Sequence, residues 1–258
     1  QCFRVMPETE VAAFCTRHEE TVRPIADRYD IPQAYTRYED LLDSDVDIIF
    51  VGSPLPDHVP QTVAALNAGK HVLCEIPAAT TIEECWELLE AVKKSDRTYM
   101  LAENYVYMRE HVLVRELARK GFFGEIHFSE GEYVHDMTHH LYDANGNPSW
   151  HNRWLASRKG ATYATHALGP VLDWFGERVA TVSCFGSGRR SIPELVNDDS
   201  NLLICQTPSG KLIKIRNDVL TTGPVRKYYS LQGTKGVYEG NRRTIWAGDG
   251  SVKNHNRG

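Results

Sequence analysis

Glu103 occupies the position in this 258-residue sequence that most invites chemistry. It closes a short apolar run, residues 98–103, and a carboxylate at the carboxyl end of a parallel strand stands where doubly wound sheets take their ligands. Ionised, it accepts hydrogen bonds; protonated, it is a general acid. Tyr133 sits in the alternating run 126–134, where it serves either as a cross-strand aromatic or as an acid–base group. His166 lies at a helix start and can bond a loop or carry a proton. His58 opens another helix. Residues 136–159 are rich in His, Asn, Trp and Arg, lack periodicity, and are long enough to form a functional loop. The pair His139-His140 hints at a metal, but neither a Cys/His cluster nor a His-Glu-x-x-His helix accompanies it, so no metal is expected.

These groups need elements to hold them. From Val11 to Asn104 short β-rich runs alternate with helical patterns, the rhythm of a parallel sheet with crossover helices. Strands are predicted at 11–15, 47–51, 71–75 and 98–103, the one at 47–51 buried on both faces. Helices are predicted at 19–29, 38–42, 58–67 and from a capping box at 80–84 to about Lys94. The second half changes character. A helix at 109–120 precedes longer strands at 125–134, 180–185, 201–206, 211–219 and 228–232. The turns Pro208-Ser209-Gly210 and Gly233-Thr234-Lys235-Gly236 read as hairpins. The expected fold is therefore α/β: a partial doubly wound, Rossmann-type parallel sheet over 1–104, followed over 105–258 by an α+β domain with a mostly antiparallel sheet.

A net charge of -5, with 29 Lys+Arg against 34 Asp+Glu, supplies no basic field for a phosphate backbone, so a nucleic-acid partner is not expected. No apolar run approaches the roughly 20 residues that span a bilayer, so neither is a membrane partner. The six cysteines form no Cys-x-x-Cys pair and lie mainly in apolar runs, which reads as buried, reduced thiols and favours a cytoplasmic setting.

More specific strings follow. Residues 47–77 include Ser53-Pro54, His58, Gly69-Lys70-His71-Val72 and Glu75-Ile76-Pro77, and this region resembles the signature of the Gfo/Idh/MocA family of nicotinamide-dependent sugar oxidoreductases. The stretches 121–126 and 232–236 are similar to that family's second domain. Two departures narrow the resemblance. The lysine of the family's Glu-Lys-Pro is Ile76 here, which can neither polarise a hydroxyl nor relay a proton. The family's Asp-x-x-x-His helix start has His166 at the Asp and Pro170 at the His. Both departures are shared with one branch, glycoside hydrolase family 109, which also resembles this chain at 75–79, 84–88, 103–104, 131–136 and 163–170.

The resemblance implies an α-N-acetylgalactosaminidase-like glycosidase using NAD or NADP transiently: oxidation at C3 of a sugar, elimination of the glycosidic oxygen, addition of water and return of the hydride. It implies Glu103, Tyr133 and His166 as catalytic residues, and Arg153 and Tyr163 as sugar contacts, with Arg158 an alternative to Arg153. The cofactor would lie against Thr16, Arg17, Ser53, Pro54, His58, Glu75, Ile76 and Asn104. A Thr16 hydroxyl followed by the Arg17 guanidinium suits a 2′-phosphate, and Arg17 equally suits a solvated helix start. The runner-up is a net sugar dehydrogenase, and a non-catalytic sugar- or nucleotide-binding module is a third reading. The partners expected are a small sugar or glycoside and a second copy bound through the second-domain sheet. The first strand, the Gly-x-Gly-x-x-Gly turn and a C-terminal helical tail have no counterpart in the alignment, residues 1–6 align with the tail of the first crossover helix, and the native N-terminus is expected to lie upstream.

Overall fold

The structure, a computed structural model, describes residues 2–248 and 252–254. It separates into two units, Gln1–Ala102 and Glu103–Gly258. The division falls just ahead of the boundary at 104 read from the sequence, so Glu103 and Asn104 go with the second unit.

In the first unit, β1 (Ala13–Cys15), α1 (Glu19–Arg28) and β2 (Gln33–Tyr35) form a parallel two-stranded sheet, with α2 (Tyr38–Leu42) after it. A second sheet holds β3 (Ile48–Val51), β4 (His71–Cys74) and β5 (Tyr99–Leu101) in that order, all parallel, crossed over by α3 (His58–Asn67) and α4 (Ile82–Lys94). The helix ends follow from the residues. Thr81 accepts a hydrogen bond from the Glu84 backbone N–H while the Glu84 carboxylate accepts from the Thr81 backbone, a complete capping box, and Lys93 and Lys94 face the negative end of α4. Gly69 at φ +75° turns the chain out of α3, where a side chain would be strained.

The strand at 47–51 is not buried on both faces. Val51 and Ile49 are buried with Val72, Cys74, Ala65 and Leu66, whereas Ile48 is 60% and Phe50 46% exposed. The helices cover one face of the sheet; on the other, Phe50 meets only the edge of the Phe3 ring, at 5.9 Å, among the aromatic contacts of the described residues. Residues 2–5 form a 3-10 turn. β2 escapes sequence reading because three residues directly after Ile31-Pro32 are too few to show alternation.

The second unit is built on one eight-stranded sheet. After α5 (Arg109–Arg119) come β6 (Ile126–Val134), α6 (Thr165–Phe175), β7 (Thr181–Gly186), β8 (Asn201–Gln206), β9 (Leu212–Asp218), β10 (Arg226–Gly233), β11 (Gly236–Glu239), β12 (Thr244–Ala247) and β13 (Val252–Asn254). The order is β13-β12-β11-β10-β6-β9-β8-β7, and every neighbouring pair is antiparallel except β6 with β9. The helices supply Val114, Val171 and Trp174 to a core shared with Phe123, Ile213, Ile215, Leu231 and Ile245 from the sheet and its approach. Gly131 lets α6 approach β6, because a Cβ there would collide with the Ala167 carbonyl.

The cysteines only partly follow the expectation of buried thiols. Cys74 and Cys205 are buried and Cys15 is half-buried, but Cys85 and Cys184 are exposed, Cys85 on α4 and Cys184 on β7, an edge strand exposed along its whole length. The Cys2 side chain lies outside the described residues, as do residues 255–258. Among the described residues no helix is long and apolar enough to cross a membrane.

Candidate active site

In the second unit, Glu103 caps a short 3-10 turn, residues 104–107, its Oε1 accepting the Tyr105 backbone N–H at 3.0 Å. The same oxygen lies 2.8 Å from His166 Nδ1, on the first turn of α6. Both residues are buried, at 6% and 8% exposure. With Nδ1 donating to the carboxylate, Nε2 is the free acceptor, the arrangement by which a third group orients a general base. Glu103 Oε2 is buried with no partner in the structure. Gly169, one turn further along α6, makes room for this carboxylate: a Cβ there would stand 2.9 Å from Glu103 Cγ.

Aromatic rings wall the pair. Tyr105 stacks on the His166 imidazole at 3.9 Å between centroids, Tyr133 lies at 4.9 Å and Tyr163 meets it edge-on at 5.3 Å. The Tyr133 hydroxyl is 2.8 Å from His135 Nδ1. Burial, followed by Tyr105 and Glu103, pushes the Tyr133 phenol well above its ordinary range. Burial and Glu103 likewise raise Tyr105, to about 12. Burial lowers His135, reinforced by His139, His140 and Lys227 and opposed by Asp136. Lys227 holds its ammonium 4.4 Å from the Tyr105 ring centroid.

Strand pairing fixes much of this. Tyr133 on β6 lies opposite Lys227 on β10 and opposite Asn217 on β9. Asn217 Oδ1 accepts the Tyr163 backbone N–H at 3.1 Å, and the Tyr229 hydroxyl donates to the His166 carbonyl at 2.6 Å.

The cluster thus unites Glu103, Tyr133, His166 and Tyr163 of the residues expected from sequence. Arg153 is exposed in a π-turn, residues 152–156, of the long loop, and Arg158 is half-buried further along. Sequence reasoning missed Tyr105, His135 and Lys227. The first two carry a legible signal, each two residues beyond a chosen one, and His135 continues the face of Tyr133 just past β6. Lys227 becomes visible only through strand pairing. The loop gathers His139, His140, His151 and Trp150 into a column of neighbouring rings, and burial with His140 and His139 lowers His151 to about 4. No group of three or more His, Cys, Asp or Glu among the described residues could hold a metal.

In the first unit, Ser53 and Pro54 follow β3, and Glu75 and Ile76 follow β4. His58 is buried with Nδ1 2.8 Å from the Pro77 carbonyl and Nε2 2.9 Å from the Ser53 carbonyl, so it braces these two strand-end turns against each other. Ser53 Oγ bonds Gln61, and Ile76 is buried. Thr16 is half-buried after β1, and the exposed Arg17 lies 3.7 Å from Asp57. Hydroxyls, a guanidinium and a carboxylate at the carboxyl ends of parallel strands are a donor set that suits a dinucleotide. No glycine-rich strand-to-helix turn occurs among the described residues, so the pyrophosphate is assigned no residue.

Residues 107–257 match the family model described as glycosyl hydrolase 109, C-terminal domain. The chain belongs to glycosyl hydrolase family 109. Residues 2–103 match the oxidoreductase family with an NAD-binding Rossmann fold, so the nicotinamide cofactor belongs to this unit's family. Over 90% of its length the chain is 30% identical to a glycosyl hydrolase family 109 protein of Shewanella putrefaciens and 29% identical to an α-N-acetylgalactosaminidase of Shewanella oneidensis. It spans 57% of the length of each. Its fold is that of an oxidoreductase domain protein from Kribbella flavida, with a TM-score of 0.81 at 23% identity over 94% of this chain and 69% of the other. A levoglucosan dehydrogenase in complex with NADH and L-sorbose gives the same score and identity, covering 94% of this chain and 68% of its own. At these identities the likeness concerns fold alone.

Proposed function

We propose that the protein is a nicotinamide-dependent glycosidase acting by transient oxidation, on α-N-acetylgalactosaminides or close relatives. The observation that carries this is the buried Glu103–His166 pair, with one imidazole nitrogen held by the carboxylate and the other free, beside the Tyr133 ring. Ordinary glycosidases flank the scissile bond with two carboxylates. Redox-assisted elimination requires instead a base for a hydroxyl and a base for a carbon acid, which a histidine and a tyrosine supply. In the first unit, Thr16, Arg17, Ser53, Pro54, His58, Glu75 and Ile76 would hold the cofactor. When bound, the nicotinamide supplies a hydride acceptor for C3 and returns the hydride at the end.

The chain's own residues do the proton work. His166 Nε2 takes the C3 hydroxyl proton, with Glu103 stabilising the imidazolium that forms. The ketone acidifies the C2 hydrogen, which Tyr133 removes; the electron pair moves into the enolate and then expels the glycosidic oxygen from C1. Water adds back at C1 with reprotonation at C2. Tyr163 and Arg153 contact the sugar. On the sheet face that carries Phe185 and Leu212, 61% and 40% exposed, we place the contact with a second copy, which analytical ultracentrifugation of F185E checks through loss of the dimer.

Turnover of an aryl α-N-acetylgalactosaminide in heavy water tests the reading. Deuterium at C2 of the released sugar with no net change in nicotinamide absorbance is expected. Stoichiometric cofactor reduction would make the protein a dehydrogenase, and binding without turnover would make it a sugar-binding module.

A further inference from the structure

We infer that His135 is the proton acceptor behind Tyr133, so that the carbon acid at C2 is deprotonated through a Tyr133–His135 relay. The inference rests on the proposed function and deepens it. Tyr133 is the last but one residue of β6, and His135, two residues on, turns its ring to the phenol: the hydroxyl oxygen is 2.8 Å from Nδ1 and the rings are perpendicular, 5.6 Å apart. A free phenolate is disfavoured in this setting. Tyr133 is 5% exposed, flanked by Tyr105 and Tyr163, and close enough to Glu103 for that carboxylate to oppose a second negative charge. The proton must leave as the new one arrives, and the imidazole is placed to receive it.

The groups around His135 keep its lone pair available. Burial above all, then His139 and His140 from the loop and last Lys227 from β10, disfavour the imidazolium, while Asp136 favours it, so the resting ring is neutral and accepts at Nδ1. The step balances. The C2–H bond breaks, its electrons pass into the C2–C3–O3 enolate, and its proton goes to the Tyr133 oxygen. The phenolic proton passes at the same time to His135 Nδ1, giving an imidazolium that returns it when C2 is reprotonated. The oxidant that makes the C3 ketone is the nicotinamide of the proposed function. His135 touches no substrate and is a positioning and proton-holding residue acting through Tyr133.

The test compares wild type, Y133F, H135Q and the double variant in the full-length, nicotinamide-loaded enzyme, using an aryl α-N-acetylgalactosaminide in heavy water. Glutamine keeps a hydrogen bond to the phenol but cannot take its proton. The relay predicts that H135Q lowers kcat about 100-fold or more with KM changed less than about threefold, and that the double variant is no worse than Y133F, since residues acting as a unit are not additive. C2 exchange in H135Q within threefold of wild type overturns the relay and leaves the glycosidase reading standing, whereas a wild type that exchanges nothing at C2 overturns both. A readout independent of turnover, and of how well H135Q folds, is the 15N signal of His135 in histidine-labelled wild type. An unprotonated, hydrogen-bonded Nδ1 that shifts in Y133F supports the relay; a protonated Nδ1 overturns it.

Discussion

The two units use their strands in opposite ways. In the first, β3 presents Ile48 and Phe50 outward, and the residues assigned to the cofactor sit on short turns beyond strand ends, braced by His58. In the second, the chemical groups hang from the middle of a wide sheet and from the helix packed on it, and each is held by a neighbour: His166 by the buried Glu103 and Tyr229, Tyr163 by the buried Asn217, Tyr133 by the half-buried His135. The difference teaches that the groups proposed for proton transfer are preorganised by packing, while those proposed for the dinucleotide sit on turns at strand ends. Preorganised polar groups act most strongly where they need not rearrange during the reaction.

The sharpest break of that contrast would come from His166. H166A is expected to lower kcat about 1000-fold and E103Q about 100-fold with the fold retained by circular dichroism, in the range general acid–base groups contribute; T16A should act mainly on the apparent affinity for the cofactor. Equal effects on kcat from all three would erase the distinction. Packing comes next. I215A in the second-unit core should destabilise by about 2–5 kcal/mol in a denaturant titration, whereas F50S on the open face of β3 should stay within about 0.5 kcal/mol in the 258-residue chain. Y229F leaves the buried His166 carbonyl without its donor and should cost about 1–3 kcal/mol with a parallel loss of kcat, measured by thermal unfolding and turnover.

The smallest effect is on pH. His111, His135 and His151 are all held below their ordinary value of 6.5, chiefly by burial. Below that value the unfolded chain binds protons that the folded one refuses, so stability is complete above about 6.5 and drains away as pH falls toward the folded values, about 4 for His151. The melting temperature should therefore fall through this window, and H151Q should flatten part of the slope; an unchanged slope would remove His151 from the account.

Much of the scaffold was legible because local rules and tertiary structure agree. α3 spans the predicted residues 58–67, and the Thr81 capping box starts α4. β2, β11 and β12 were not legible, since strands of three or four residues carry almost no period. The open face of β3 was misread for another reason: a continuous apolar run is the same string whether one face or both are covered, and only the neighbouring layers decide. At the site, Glu103 could be chosen from its place after a strand, but Tyr133 and His166 needed the resemblance. Lys227 lies 94 residues beyond Tyr133 in sequence and opposite it in space, a relation that no spacing within one segment encodes.

The row Lys227–Tyr133–Asn217 across β10, β6 and β9 also constrains how such chains can drift. Side chains alternate along a strand, so deleting or inserting a single residue in β6 before Tyr133 would send the phenol to the opposite face and exchange it for Glu132 or Val134. Length changes in relatives should therefore collect in the loop at residues 136–159 and spare the 126–134 strand, with the ladder itself acting as a ruler against indels.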